Sequence, residues 1–303
     1  MPCQHVLRHW KVFQTKLDTG KLLLLTDYDG TLVPIARSPD STRLSRKTES
    51  VLQKLCRHPR IRVGIVSGRS LSDLRSLIRL PKAIYVGNHG CEIRGGGLIF
   101  IHPSVRRWRP LFRIIARQLR PVIRDIPGSL LEPKGLSLSV HWRQVTARHL
   151  PKFQRRMRHV LRPWLSRKAI RVTHGKRVIE IRAPVAWDKG RSVAWIVRHL
   201  PSMATDNPAI GPVGLLKRAG RDVAPLWAKS PVPQAHPVGL HMGMIYLGDD
   251  RTDEDAFRAV NRLKGLSIFV GRDPRSTSAK GYLASSGEVY QFLERLWRLT
   301  RNP

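Results

Sequence analysis

Acidic side chains are scarce in this chain. Its 303 residues include 21 Asp and Glu against 55 Lys and Arg, a formal net charge of +34. Long apolar runs are missing too: no stretch approaches the roughly 18 residues a membrane-crossing helix needs, so no membrane span is expected. The first twenty residues mix charged and apolar groups and offer no small-residue cleavage site, which argues against a secretory signal. Cysteine is limited to Cys3, Cys56 and Cys91, an odd number without disulfide or metal spacing. Reduced thiols and a cytoplasmic location are the expectation. Internal repeats and low-complexity tracts are absent. What is present is a globular composition, 41% hydrophobic and 25% charged, which excludes wholesale disorder. The length allows one large domain or two smaller ones. A pI near 11.6 suggests an anionic partner, whether nucleic acid, a membrane surface or a phosphorylated substrate.

Where carboxylates are few, their clusters carry information. Asp27, Asp29, Asp249, Asp250, Asp253, Glu254 and Asp255 make up a third of the 21 acids and fall in two short windows. Each window follows a short apolar run, Leu22-Leu23-Leu24-Leu25 and Met244-Ile245-Tyr246-Leu247. Such runs, with helical patterns further along, read as buried strands of a parallel sheet. Acids just past their ends lie at the carboxyl edge, where open α/β folds place their sites.

The spacing of apolar residues predicts helices over 44–58 and 70–80 and strands at 62–66 and 83–86, hence a doubly wound α/β core. From 104 to 182 the pattern changes. Residues 105–126 read as an amphipathic helix interrupted or bent near Pro121. Leu136, Leu138, Val140 and Trp142 alternate with Ser137, Ser139, His141 and Arg143, the pattern of a half-buried antiparallel strand. A helix over 149–165 and strands at 169–173 and 177–182 follow. This block reads as an α+β domain, 104–182, inserted in a core made of 1–103 and 183–303. The core resumes with a helix over 189–200, a strand at 244–247, a helix over 253–263, a strand at 266–270 and a last helix over 287–299. Residues 201–240 hold seven prolines and little periodicity, and read as a long irregular excursion.

Asp27 and Asp29 are two residues apart and converge only if the chain turns, which Gly30 and Thr31 favour. With Asp249 they can gather oxygens around one hard cation, a donor set that suits Mg²⁺. A carboxylate is also a nucleophile for phosphoryl groups. These residues carry a resemblance. Asp27-Tyr28-Asp29-Gly30-Thr31-Leu32 is similar to the first motif of the haloacid dehalogenase (HAD) superfamily of phosphatases. Ser67, Lys189 and Gly248-Asp249-Asp250 are similar to its second, third and fourth, in order and on the predicted elements. The pieces Ser67-Gly68-Arg69, Gly87-Asn88-His89-Gly90, Glu132-Pro133-Lys134 and the extension from Asp250 to Phe257 further resemble the trehalose-6-phosphate phosphatases. The resemblance spans about 20–200 and 243–299.

It implies a HAD-like core with an α+β cap, and Mg²⁺-dependent hydrolysis of trehalose 6-phosphate through an aspartyl-phosphate. Asp27 would be the nucleophile and Asp29 the acid and base. Ser67 and Lys189 would hold the transferring phosphoryl group. Asp27, the backbone carbonyl of Asp29, and Asp249 would hold the metal, with Asp250 and Asp253 behind them. Arg69, Asn88, His89, Glu132, Lys134 and Glu180 would meet the substrate. The implied partner is a small sugar phosphate; a monomer is expected, and no nucleic acid despite the charge.

The residues alone leave plainer readings open. Ser67-Gly68 could cap a helix, Lys189 be solvated, and Asp253 to Asp255 serve a helix N-terminus. Asn88 and His89 could only shape a loop, and Glu180 could form a surface ion pair. The same cap residues fit other sugar phosphates. Residues 104–182 hold 17 Arg and 4 Lys against Asp125, Glu132 and Glu180, more than half of the net charge. A basic nucleic-acid- or membrane-surface-binding protein on the same fold is therefore a further alternative. No helix-turn-helix, zinc-finger, RNP or KH pattern accompanies that charge, and a solvated Arg-rich face is the expectation.

Overall fold

The computed structural model describes residues 3–17, 20–35, 42–175, 177–201 and 242–301. The excursion expected over 201–240 lies outside them except for Pro201. In chain order the strands and helices are β1 (Gln4–His5), α1 (Trp10–Leu17), β2 (Leu22–Asp27), α2 (Arg46–Arg57), β3 (Ile61–Val66), α3 (Leu71–Leu77), β4 (Ile84–Gly87), β5 (Glu92–Gly95) and β6 (Leu98–Ile101). A second group follows: α4 (Pro103–Arg106), α5 (Arg109–Arg124), β7 (Leu130–Pro133), β8 (Ser137–His141), α6 (Leu150–Ser166), β9 (Arg171–Gly175) and β10 (Val178–Arg182). The chain then gives α7 (Lys189–His199), β11 (Gly243–Gly248), α8 (Glu254–Arg262), β12 (Leu266–Val270), β13 (Gly281–Leu283) and α9 (Ser286–Arg301).

A nine-stranded sheet runs β1-β13-β12-β11-β2-β3-β4-β5-β6. It is parallel from β1 to β4, and the β5–β6 hairpin adds two antiparallel strands at one edge. From β2 the chain winds outward through β3 and β4. It later returns at β11, on the other side of β2, and winds outward through β12 and β13. The strand order therefore reverses between β2 and β11. Alternation along β2 sends Leu22 and Leu24 into one core with α2 and α9, and Leu23 and Leu25 into another with α7 and α8. All four leucines are buried, each contributing on the order of 2 kcal/mol of transfer free energy, which fixes the register of the strand that ends in Asp27.

Residues Val105 to Ala183 supply a third core beneath a separate sheet, β7-β8-β10-β9. Helices α5 and α6 cover one face of that sheet through Phe112, Ile115, Phe153 and Met157, against Leu138, Val140, Ile179 and Ile181. The opposite face carries Ser137, Ser139, Glu180 and Arg182, and it turns toward the carboxyl edge of the large sheet. The half-buried strand expected at 136–142 is thus buried on both faces from Ser137 to Val140. Its polar face lies against the core rather than in water: Ser137 Oγ meets Asn88 Oδ1 at 2.7 Å.

The helix expected over 105–126 is divided, but not near Pro121. The break falls at Arg107–Trp108, between α4 and α5, and α5 continues past Pro121 to Arg124. Proline removes one N–H donor close to the helix end, while buried Leu119 and Val122 hold the last turn in place. Helix α1 and the β5–β6 hairpin were not read from the sequence. The hairpin turns on Gly95, Gly96 and Gly97, all at positive φ.

Candidate active site

Asp27 is the last residue of β2, and Asp249 follows the last residue of the neighbouring parallel strand β11. Both lie at the point where the strand order reverses, the position at which doubly wound sheets open a crevice. The backbone has room for them only because two neighbours lack side chains. A Cβ on Gly30, which sits at φ +89°, would fall 2.1 Å from Asp249 Oδ2, and one on Gly248 would fall 2.3 Å from Asp253 Cγ.

Asp27, Asp249 and Asp253 are all buried, with one oxygen of each within 4.8 Å of the others. Lys189, the first residue of α7, is buried among them. Its Nζ donates to Asp27 Oδ1 at 2.6 Å and to Asp253 Oδ1 at 2.7 Å. Burial alone would lower the Lys189 ammonium, but Asp253 and Asp27 hold it well above its ordinary value. Asp27 is pushed well above the ordinary carboxylate range by burial, against Lys189 and with the help of Asp253 and Asp249.

Three carboxylates facing one ammonium leave two negative charges in a buried oxygen-lined space, the complement of a hard dication. Asp253 is not available as a ligand. Its Oδ1 also accepts from Tyr246 Oη at 2.7 Å, and its Oδ2 accepts the backbone N–H groups of Asp249 and Asp250 at 3.1 and 3.0 Å. All four acceptor positions of that carboxylate are occupied. Asp253 therefore braces Lys189 and the Asp249 loop, while Asp27 and Asp249 remain to meet a cation. The carboxylate of Asp250 accepts from the N–H of Arg251 at 2.7 Å and caps the short turn there. Tyr246, buried beneath this cluster, had read in the sequence as one apolar residue of a strand.

Asp29 lies beyond the strand end and is held by Arg69. Arg69 Nε and Nη2 donate to Oδ2 and Oδ1 of Asp29 at 2.7 and 2.8 Å. The same guanidinium donates to Asp73 Oδ2 and to Thr42 Oγ1, both at 2.8 Å. The structure thus ties Arg69 to Asp29 at the carboxyl edge, where the resemblance implies a substrate contact. Ser67 opens the loop after β3, buried, and its Oγ accepts the Arg69 N–H at 3.1 Å.

The roof of the site comes from the small sheet. Strand register sets Glu132, Ser139 and Glu180 side by side on β7, β8 and β10. Below them, Asn88 and His89 both occupy the left-handed region, at φ 48° and 54°, a strained state for side-chain-bearing residues. Their N–H groups donate to the carbonyls of Arg69 and Ser67 at 2.6 and 3.0 Å. The Asn88 amide also donates to Glu92 Oε2 at 2.9 Å and the Lys134 carbonyl at 3.3 Å. His89 Nε2 lies 2.8 Å from Glu180 Oε1, and an ionised Glu180 can only accept. Lys134 Nζ donates to the Gly68 carbonyl at 3.0 Å. Glu180 also pairs with Arg182, and Glu132 Oε2 lies 2.7 Å from His141 Nε2.

Burial, helped by Arg182, pulls the His89 imidazole down to about 4. Burial would raise the Glu180 carboxyl, yet His89, Arg182 and Lys134 take it well below its ordinary value. Burial opposes and His141 and Lys134 outweigh it at Glu132, which is lowered too. One cleft of about 190 Å³ is lined by Asp27, Asp29, Ser67, Arg69, His89, Glu132, Lys134, Glu180, Lys189, Asp249, Asp250 and Asp253. Among the sequence-derived candidates, Asn88 alone is outside that lining, pinned behind His89.

No helix among the described residues is long and apolar enough to cross a membrane. A sequence profile of the family described as trehalose-phosphatase matches residues 25–214. Trehalose-phosphate phosphatase B of Arabidopsis thaliana is 28% identical over 287 residues, covering 91% of this chain and 66% of that protein. Probable trehalose-phosphate phosphatase 9 of Oryza sativa subsp. japonica is 31% identical, with 91% and 70% covered. Among solved structures, a trehalose-6-phosphate phosphatase related protein superposes with a TM-score of 0.68 at 25% identity, over 92% of this chain and 98% of that one. The C-terminal domain of a C. albicans trehalose-6-phosphate phosphatase shares the fold, with a TM-score of 0.70 at 22% identity and 98% of both chains covered. The fold is the HAD-like α/β core with an inserted α+β unit, and the profile spans more than half of the sequence: the chain belongs to the trehalose-phosphatase family.

Proposed function

We propose that this phosphatase releases phosphate from trehalose 6-phosphate by covalent catalysis at Asp27, with the 104–182 unit closing over the sugar as a cap. The supporting observation is the pairing of two unlike surfaces in one cleft. The floor offers a buried carboxylate nucleophile, an ammonium and an oxygen set for a dication. The roof offers Glu132, Lys134 and Glu180, whose oxygens and ammonium suit a polyol. A site built to hydrogen-bond hydroxyls rejects ligands that lack them.

In the first step an Asp27 carboxylate oxygen attacks phosphorus. The bond from phosphorus to the sugar oxygen breaks, and Asp29 delivers a proton to that departing oxygen. In the second step Asp29 takes a proton from water, the water oxygen attacks the phosphorus of the aspartyl-phosphate, and Asp27 is regenerated. Lys189 and Ser67 orient the phosphoryl oxygens. Asp27, the Asp29 carbonyl and Asp249 would hold Mg²⁺, which when bound offsets the charge of phosphate and nucleophile.

Phosphate release from a panel of sugar phosphates, each with and without Mg²⁺, tests this reading. Preferred turnover of trehalose 6-phosphate is expected; preference for another sugar phosphate would overturn the substrate assignment while leaving the chemistry in place.

A further inference from the structure

Helix α5 carries Arg109, Arg113, Arg117, Arg120 and Arg124. At about 100° per residue these fall within an arc of about 80° and extend about 22 Å along the axis. All five are exposed. None has an ion-pair or hydrogen-bond partner for its side chain among the described residues. The nearest acid in sequence, Asp125, is turned toward α6, where it pairs with Lys152 at 3.0 Å and with Arg156. Gln118 also faces α6, accepting from Trp164 Nε1 at 3.0 Å. The arginine stripe therefore lies on the flank of α5 turned away from α6. Like charges spaced i, i+4 repel and disfavour a helix, so the alignment is not a product of helix stability.

We propose that this stripe binds the phosphate backbone of nucleic acid without reading its bases. A straight row of cations matches a linear polyanion. Guanidinium groups take phosphate oxygens in a bidentate fork, which ammonium groups do not. No aromatic residue stands among the five, so the stacking that marks base-contacting surfaces is missing. A membrane surface fits less well: the apolar side of α5, with Phe112, Ile115, Leu119 and Val122, is buried in the cap core and cannot insert. Residues 202–241 are no electrostatic complement either, since they hold four basic and two acidic residues. Charge counting raised a nucleic-acid partner only as an alternative, because a count does not show alignment on one flank.

The test is fluorescence anisotropy with the full chain and a short labelled DNA duplex, over a series of KCl concentrations. Five phosphate contacts predict a slope of log K against log salt of about −4.5. Replacing Arg113, Arg117 and Arg120 together with Glu, a good helix former, should weaken binding by about tenfold or more. Phosphate release should be unchanged, which shows the fold intact. Unweakened binding by that variant overturns the proposal. So does an equal loss when Arg155, Arg158 and Arg162 of α6 are replaced instead, because the charge then acts diffusely. Binding to phosphatidylserine vesicles without binding to the duplex overturns it in favour of a lipid surface.

Discussion

The guanidinium of Arg69 grips both carboxylate oxygens of Asp29, at 2.7 and 2.8 Å, from the far end of the loop after β3. The proposed nucleophile and the proposed acid are thus positioned by different partners, Asp27 by Lys189 and Asp29 by Arg69. Lysine cannot make a bidentate clamp. Arg69→Lys is therefore expected to lower kcat roughly tenfold or more, through loss of orientation at the proton donor. Steady-state kinetics check this, and an unchanged kcat would remove Arg69 from the mechanism.

Asp27→Asn keeps the shape of the side chain and removes the proposed nucleophile. Turnover should fall by at least roughly 10³-fold. The thermal midpoint should shift little, because the amide keeps the volume and its oxygen can still accept from Lys189. Appreciable residual phosphate release would count against a covalent intermediate at this position.

Asp253 performs a structural task that a deletion would expose. Its carboxylate takes Lys189, Tyr246 and two backbone N–H groups. Asp253→Ala leaves buried donors unpaired, and denaturant unfolding should show a loss of about 3 kcal/mol. Asp253→Asn, which keeps the volume, should recover part of the stability and little of the activity. Stability equal to the parent chain would contradict the bracing role.

Chelation should abolish phosphate release, and added Mg²⁺ should restore it. A cation that binds only the folded chain also raises the thermal midpoint. That rise should vanish in Asp249→Asn, which halves the charge of the two carboxylates proposed to hold the cation. Thermal scans with and without Mg²⁺ read this independently of catalysis.

His89 makes stability depend on pH. Its folded pKa is about 4, against roughly 6.5 in an unfolded chain. Between those values the unfolded state binds more protons, so stability falls as pH drops from about 6.5 toward 4. Glu132 and Glu180, both lowered, add a further loss below about pH 4.5, their unfolded range. Urea unfolding at several pH values should show the upper part of this slope flattened by His89→Gln; an identical slope would exclude His89 as its source.

The floor of the site was legible because its acids are rare and stand at the ends of short apolar runs. Asp27 and Asp249 needed only strand alternation and one topological rule to be placed together. The partner of Asp29 was not legible, since 40 residues separate it from Arg69 and only the folded loop joins them. Tyr246 was hidden for a different reason: inside an apolar strand its hydroxyl left no mark on the pattern. The alternation of β8 marks two unlike faces, but its polar face does not meet water. Polarity there marks a face turned toward a second buried surface, a distinction that period alone does not carry. The hairpin after β4 escaped because its strands are four residues each.

The cap sheet has helices on one side and the cleft on the other, and the two sides answer to different demands. The cleft side meets His89 and Asn88 through Glu180 and Ser137. Residues on the outer flank of α5 touch neither. Charge there lies outside the lining of the cleft. A single four-stranded sheet thus separates a cleft on one side from an arginine-lined helix on the other.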